Sequence, residues 1–302
     1  MIRTVTGKIT PGELGRTLIH EHIICTSPDF QFAFPNWLPR EKVVPIAVAK
    51  LRYLAEKFQL RTFIDATPIS LGRDLGLLRE VSEKSGVQII ASSGFYFYPC
   101  FTAICVPPET MARFIIDEIN VENNGIHMLK CAVDAEGVTP VVRRYLETIA
   151  LVHNETGLPV YMHTHSGNKT GLAAQEILAE KGVPPEKTVV GHVADCNSCD
   201  YALEILQRGC SISVDRINHK NVRNRIELLY RLLQQGFEKR IFVSCDHVCC
   251  WDNVMNQISV PNDDVESMGV IWQELFPGTA AKGIDFDIAE RVMVQNVAAL
   301  FE

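Results

Sequence analysis

The 302-residue sequence lacks the features that mark membrane proteins, secreted proteins and nucleic-acid-binding proteins. No apolar run approaches the roughly 20 residues that a membrane helix requires. The first residues contain no apolar segment followed by a small-residue cleavage site, so no secretory signal is visible. A net charge of −7 provides no overall basic character to attract a phosphate backbone. We therefore expect a cytoplasmic protein that neither enters a membrane nor binds nucleic acid.

The sequence also has no stretch rich in proline, glycine and serine and no shift in composition that would mark a domain boundary. We expect a single domain over residues 1–302, a length that suits an α/β barrel of about 250 residues with additions. Ten cysteines are present, but their spacing is irregular, and Cys131, Cys210 and Cys245 stand in apolar runs. We expect reduced thiols that serve mostly as small core residues.

What the chain does contain is a regular alternation of short apolar runs with longer segments of helical period. Helical periodicity covers 43–58, 140–153, 200–208 and 221–235, among other segments. The predicted strands cover 17–24, 61–65, 87–92, 128–133, 159–163, 188–191, 210–215 and 240–245. Eight nearly continuous apolar strands separated by helices indicate a parallel sheet covered by helices. A doubly wound open sheet would produce a similar pattern, but the residues at the strand ends favour a closed (β/α)₈ TIM barrel.

Polar side chains stand at or near the ends of five of these strands. His20 and His22 are two residues apart on the first strand, so both face the same way, and Glu21 faces the other way. Two imidazoles on one face form a ready pair of metal ligands. By the same parity, Lys130 shares a face with Met128 on the fourth strand.

Three further polar residues end later strands: His163, His192 and Asp246. Each alone has a structural explanation, such as a hydrogen-bonded histidine or an aspartate that caps a helix. A buried lysine is costly unless it is paired or chemically changed. The carboxyl ends of barrel strands converge on one pocket, so six such residues in this order indicate a metal site.

These motifs together resemble the amidohydrolase superfamily and, within it, the phosphotriesterase family. The resemblance extends over nearly the whole chain and rests on motifs in strand order. They are GRTLIHEH at 15–22, LK at 129–130, VYMHT at 160–164, VGH at 190–192, VSCD at 243–246 and NVAALF at 296–301. The resemblance implies two divalent metal ions, with His20, His22 and Asp246 on the more buried ion and His163 and His192 on the more exposed one. Lys130 would be carboxylated and bridge both ions as a carbamate.

Nitrogen and oxygen ligands suit Zn²⁺ and equally Mn²⁺, Co²⁺ or Fe²⁺. The resemblance implies that a hydroxide bridging the two ions attacks the substrate, with Asp246 as the proton shuttle. It also implies that Arg216 links Asp246 to Asp195. These three residues are the expected catalytic group.

Two segments are similar to the phosphotriesterase-like lactonases of this family: SGFYFYP at 93–99 and VDR at 214–216. The similarity implies that Tyr96, Tyr98 and Arg216 contact the substrate. His165 competes with His163 as a ligand, but His163 fits the motif and His165 is expected to line the pocket. His219 and His247 fall in active-site loops, where surface positions are the simpler interpretation, and residues 252–264 are expected to form the eighth loop.

The leading hypothesis is therefore a lactonase with slow, promiscuous turnover of organophosphate triesters. An amide, N-acyl or other ester hydrolase that uses the same metal pair is an alternative, and a metal-binding barrel without turnover is a third possibility. The family resemblance also implies a homodimer.

Overall fold

A computed structural model describes residues 1–34, 36–196, 198–251, 266–284 and 286–302, without the side chains of 102 and 103. The eighth loop expected at 252–264 lies outside the described residues. The strands are β1 (Ile2–Thr4), β2 (Gly7–Ile9), β3 (Arg16–Cys25), β4 (Leu60–Asp65), β5 (Gln88–Gly94), β6 (Ile126–Val133), β7 (Val160–Thr164), β8 (Thr188–Val190), β9 (Ser211–Val214), β10 (Ile241–Val243) and β11 (Val248–Trp251).

The helices surround the strands and follow them along the chain. They are α1 (Pro28–Ala33), α2 (Arg40–Phe58), α3 (Leu75–Ser85), α4 (Phe101–Cys105), α5 (Pro108–Asn120), α6 (Pro140–Thr156), α7 (Thr170–Glu180), α8 (Cys199–Gln207), α9 (Val222–Gln234), α10 (Phe276–Ala280), α11 (Ile288–Glu290) and α12 (Asn296–Phe301). Short π-helical turns at Ile271–Leu275 and Arg291–Gln295 lead into α10 and α12.

Strands β3 to β10 run parallel and pair in sequence order, and β11 pairs with β3 on the other side. The barrel closes where β10 ends beside β3. There the Ser244 hydroxyl accepts hydrogen bonds from the backbone N–H groups of Ile19 and His20, both at 2.9 Å. The Asp246 N–H donates to the carbonyl oxygen of His20 at 3.1 Å. The eight predicted strands and the (β/α)₈ barrel are confirmed, whereas the hairpin β1–β2 and strand β11 were not predicted.

Helix α6 shows how local sequence defines these elements. The Thr139 hydroxyl accepts a hydrogen bond from the Val142 N–H, Pro140 occupies the first turn, and Gly157 ends the helix with φ 69°. Such a left-handed residue is most easily glycine, because a Cβ would be strained there. The helix covers the barrel with an apolar face that includes Val142, Tyr145, Leu146 and Ile149.

The core has two parts. The larger lies between the sheet and the helices, and the smaller fills the barrel interior at its amino-terminal end. The smaller part joins interior residues of the strands to both chain termini: Ile2, Leu14, Ile19, Ile64, Ile90, Met128, Tyr161, Val189, Phe242, Val297 and Leu300. The ten cysteines, all in the described part of the chain, form no disulfides, and six of them are buried. None of the described helices is long and apolar enough to cross a bilayer.

Candidate metal centre and catalytic pocket

The six side chains predicted as metal ligands lie together at the carboxyl ends of the strands. His20 and His22 project from β3, and their Nε2 atoms lie 3.3 and 3.2 Å from Oδ1 of Asp246. Lys130 projects from β6, and its Nζ lies 2.9 Å from the Nε2 of His20. The two histidines and Asp246 lie on one side of the barrel and Lys130 on the opposite side. Closure of the sheet brings these four side chains together.

His163 and His192 complete the cluster. Nδ1 of His163, on β7, lies 2.8 Å from Nε2 of His192, which follows β8. The same Nε2 lies 3.8 Å from Oδ2 of Asp246, so the second pair of imidazoles adjoins the first. Both histidine rings are almost fully buried.

The nitrogens of His20 and His192 that point away from the cluster lie close to Asp215, which is fully buried. Nδ1 of His192 lies 3.0 Å from one Asp215 oxygen, and the Tyr161 hydroxyl donates to the other at 2.7 Å. Because the Tyr161 proton is used there, its oxygen accepts from Nδ1 of His20 at 2.8 Å. Asp215 and Tyr161 therefore keep the ring protons of His192 and His20 on Nδ1, the nitrogen that points away from the cluster.

The other two histidines are oriented in the same way by different groups. The Thr67 hydroxyl donates to the carbonyl oxygen of Ile24, so its oxygen accepts from Nδ1 of His22 at 2.8 Å. Nε2 of His163 lies 3.2 Å from Oδ2 of Asp134. Outer partners of this kind fix the tautomer of a ligand histidine.

The hydrogen bonds of the four histidines indicate whether their remaining nitrogens are available to bind metal ions. With each outer nitrogen protonated, four lone pairs point inward, on Nε2 of His20, His22 and His192 and on Nδ1 of His163. The lone pairs of His163 and His192 face each other at 2.8 Å, an unfavourable contact that a cation between or beside them relieves. His20, His22 and Asp246 also form a three-ligand group with donor atoms within 4.8 Å of one another. The residues therefore fit divalent metal ions.

Burial reinforces this protonation state. Burial lowers the pKa of His163 to about 3, so its ring is neutral near neutral pH. Burial also lowers the pKa of Lys130 to about 8. At pH 7 the ammonium then remains the main form, and about a tenth of the amine is uncharged, which is the form that reacts with carbon dioxide.

Three residues that follow barrel strands have a left-handed backbone: His192 (φ 61°), Arg216 (φ 52°) and Asp246 (φ 51°). This conformation is unfavourable for residues with a Cβ, at about 1–3 kcal/mol each, and persists where the surroundings enforce it. Such residues cluster at functional sites. Here they turn the three side chains inward over the barrel.

Arg216 connects the cluster to a second carboxylate. Its Nε donates to Oδ2 of Asp246 at 3.0 Å, and its Nη1 donates to Oδ2 of Asp195 at 2.7 Å. Arg225, almost fully buried, donates to the other Asp195 oxygen at 2.7 Å. The predicted link from Asp246 through Arg216 to Asp195 is therefore present.

A cavity of about 410 Å³ opens over the cluster. The Tyr96 ring lies over His163, with centroids 5.0 Å apart, and Tyr98 stands beside it, partly exposed. The described lining is His20, His22, Cys25, Thr26, Ser27, Pro28, Asp29, Ser70, Leu71, Tyr96, Tyr98, Pro99, Cys100, Lys130, His163, Arg216, Asp246, Val248 and Trp251. Both tyrosines therefore lie where a substrate would bind.

Glu21 has a structural role that strand parity alone did not suggest. Its carboxylate is fully buried and accepts the N–H groups of Cys245 at 2.6 Å and His247 at 2.7 Å. These residues flank Asp246, so Glu21 holds the backbone on both sides of it. The signal available in the sequence was an acidic residue between two candidate ligands.

The remaining histidines lie outside the cluster. His165 is on the loop after β7, as expected for a residue that lines a cavity. His219 is exposed and pairs with Glu274. His247 differs from the surface position expected, because it is half-buried and its Nε2 lies 2.9 Å from the Nζ of buried Lys50.

A closed (β/α)₈ barrel with inward-facing imidazoles and carboxylates at its mouth defines a metal-dependent hydrolase. The sequence profile of the phosphotriesterase family matches residues 1–300. The chain belongs to the phosphotriesterase family, whose members carry a binuclear metal centre.

Relatives with known names align with most of the chain. The "Phosphotriesterase homology protein" of Mycobacterium tuberculosis is 28% identical over 100% of this chain and 97% of its own. The "Aryldialkylphosphatase" of Saccharolobus solfataricus is 28% identical over 96% and 95%. The "N-acetyltaurine hydrolase" of Mus musculus is 28% identical over 81% and 83%. A solved phosphotriesterase from Mycobacterium tuberculosis superposes with a TM-score of 0.89 at 27% identity, covering 100% of this chain and 98% of the other.

Proposed function

We propose that this hydrolase opens uncharged lactones, with slower turnover of organophosphate triesters. The observation that carries the proposal is the chemistry of the main cavity, where apolar and aromatic side chains stand over the donor cluster. Arg216 is the one arginine in the described lining, and both its Nε and its Nη1 are bound to carboxylates. Away from the metal ions, such a wall favours uncharged groups on the substrate over anionic ones, which would need an unpaired arginine.

The proposed ligand sets follow the two groups of donors. His20, His22 and Asp246 would hold one ion, His163 and His192 would hold the other, and Lys130 would contribute to both as a carbamate. Two divalent ions, when bound, would supply acidification of water and polarisation of the scissile carbonyl. Asp246 would take a proton from the attacking water and return it to the departing alkoxide, while Arg216 orients the Asp246 carboxylate.

The carbamate on Lys130 has a test of its own. We expect density for a carboxylate beyond Nζ in crystals of the metal-loaded protein. Lys130→Ala is expected to lose activity and to recover part of it in short carboxylic acids, which replace the missing bridge. A free ammonium in a fully loaded crystal would contradict the assignment.

Hydrolysis of an N-acyl amide is the second candidate function. It is supported by the relative named N-acetyltaurine hydrolase and by a donor cluster that serves either acyl bond equally well. An N-acyltaurine carries a sulfonate, however, and the described lining provides no arginine free of carboxylate partners to bind it.

The test is a panel of matched substrates with protein loaded separately with Zn²⁺, Mn²⁺ and Co²⁺. It compares an alkyl lactone, an open-chain ester of the same size, a neutral N-acyl amide, its sulfonate counterpart and an aryl dialkyl phosphate. We expect the lactone to have the highest kcat/KM and the sulfonate the lowest. A higher kcat/KM for either amide than for the lactone would replace the lactonase assignment by the amidase one. Chelator-treated protein is the control and is expected to be inactive until metal is restored.

The homodimer is part of the same proposal. Aromatic side chains on α1 and α4 are strongly exposed in the single chain, Phe32 at 93% and Phe101 at 82%. Both helices adjoin segments that line the cavity. We expect sedimentation to show a dimer and Phe32→Lys to weaken it; a monomer at micromolar concentration would contradict this.

A further inference from the structure

A second cavity, of about 290 Å³, lies beside the first at the barrel mouth. His163 and Arg216 line both cavities and so form the partition between them. The main cavity extends toward the loops that follow β3, β4 and β5. The second lies over the loops that follow β6, β7, β8 and β9.

Two hydrogen-bond donors on the wall of the second cavity have no partner among the described residues. Nδ1 of His165 accepts the Asn168 N–H at 3.2 Å, so Nε2 carries the ring proton and is left without an acceptor. Ser166 is mostly buried at 6% exposure, and its hydroxyl has no hydrogen bond within the described part of the chain. Both side chains line this cavity.

Two carboxylates face the same space, and both already accept hydrogen bonds. Asp134 accepts from Nε2 of His163 and from the Ala135 N–H, and Asp195 accepts from Arg216 and Arg225. Their oxygens have lone pairs left for further donors. The two carboxylates repel an anion, and the arginine on this wall already pairs with Asp195 and Asp246.

This wall has hydrogen-bond donors without partners beside carboxylates that can accept further hydrogen bonds. Such a wall matches hydroxyl groups, which donate and accept at once. We propose that the second cavity is a subsite for an uncharged, hydroxylated arm of the substrate, bound by His165, Ser166 and the two carboxylates. The substrate then has two arms, an apolar one in the main cavity and a hydroxylated one in the second. The scissile bond lies between them, beside His163. This proposal rests on the proposed hydrolysis of a small neutral acyl compound.

The test compares two lactones that share the ring and differ in one arm, which is either alkyl or hydroxylated. For the native enzyme we expect a higher kcat/KM for the hydroxylated lactone. The double variant His165→Phe/Ser166→Ala removes both donors and fills part of the space, and we expect it to reduce this preference about tenfold, as the loss of two neutral hydrogen bonds would. His219→Phe, at an exposed histidine outside both cavities, is the matched control and is expected to keep the native preference.

Binding of unreactive analogues separates this proposal from the lactonase assignment. Calorimetry with the corresponding hydroxylated and alkyl cyclic ketones, which have no ester or amide bond to cleave, is expected to show tighter binding of the hydroxylated one by the native protein and a smaller difference in the double variant. If neither lactone is hydrolysed but this pattern holds, the lactonase assignment fails and the subsite stands. Equal affinities of the native protein for the two ketones, or an unchanged difference in the double variant, would overturn the subsite. A phosphorylated lactone that outcompetes the hydroxylated one would also overturn it.

Discussion

The two ends of the barrel interior differ sharply although the same strands build both. On β6 the apolar Met128 is followed two residues later by Lys130, and on β7 Tyr161 is followed two residues later by His163. The amino-terminal end is packed with aliphatic and aromatic side chains and is closed by both chain termini. The carboxyl-terminal end contains buried charges, two cavities and three left-handed residues.

The amino-terminal end of the barrel therefore contributes mainly to the stability of the fold, and the mouth contributes mainly to catalysis. Apolar packing at the amino-terminal end stabilises the barrel without needing any particular substrate or ion. At the mouth, the cost of buried charge and a left-handed backbone is offset only by hydrogen bonds and by bound ions. Substitutions at the two ends should therefore affect different measured quantities.

The largest expected effect is at the mouth. Asp246→Asn keeps the shape of the side chain but removes the basic carboxylate between the imidazoles and Arg216. We expect kcat for lactones to fall at least about 10²-fold, in the range that general acid–base catalysis supplies. An aryl phosphotriester should suffer less, because its leaving group departs without a proton.

Steady-state kinetics on both substrates checks this, with metal content measured in parallel. Asp200→Asn, at an exposed position on α8, is the control and should behave as the native enzyme. Lactone turnover near the native rate would remove Asp246 from the mechanism, and equal losses on both substrates would argue against its role toward the leaving group.

The second largest effect is expected from a substitution at the amino-terminal end of the barrel interior. Ile90 is fully buried in the interior of the amino-terminal end, and Ile90→Ala leaves a cavity there. We expect the free energy of unfolding to fall by about 2–5 kcal/mol, while kcat measured well below the melting temperature stays the same. Chemical denaturation measures this change, and Ile104→Ala, at a 58% exposed position, is the matched control. A large loss of kcat in folded Ile90→Ala would mean that the two ends are coupled.

A smaller effect is expected from the outer partners of the imidazoles. Asp215→Asn leaves an amide group facing N–H or O–H donors of His192 and Tyr161. We expect affinity for metal to fall about 10- to 100-fold, as is typical when such a partner is lost. Competition with a chelator measures it. Tyr161→Phe removes one hydroxyl and should have a smaller effect; an Asp215→Asn affinity equal to the native one would contradict this role.

The sequence predicted the eight strands and the six clustered side chains because those signals are local. Apolar runs and the position of a polar residue at a strand end can be read within a few residues. The contacts that orient the cluster are not local: Glu21 binds the N–H of Cys245, which is 224 residues away. Asp134 and Asp215 do follow strands, so the strand-end rule could have indicated them. The division of the mouth into two cavities depends on how His163 and Arg216 meet in the closed barrel, which no local pattern specifies.

The smallest expected effect is a pH dependence that arises at the amino-terminal end. His127 lies there, with its ring 5.6 Å from that of Phe301, and its Nδ1 has no hydrogen-bond partner among the described residues. Burial, with a smaller effect of Arg3, lowers the pKa of His127 to about 4. The unfolded chain, with a histidine pKa near 6.5, then binds more protons than the folded one between about pH 6.5 and 4. The neutral ring is favourable above this window, and the stability of the fold falls as the pH drops through it.

We expect His127→Phe to reduce the loss of melting temperature between pH 7 and 4.5 in metal-free protein, where ion release does not contribute. His219→Phe, at an exposed histidine, should keep the native profile, and an unchanged profile in His127→Phe would assign the acid sensitivity to the histidines of the mouth instead.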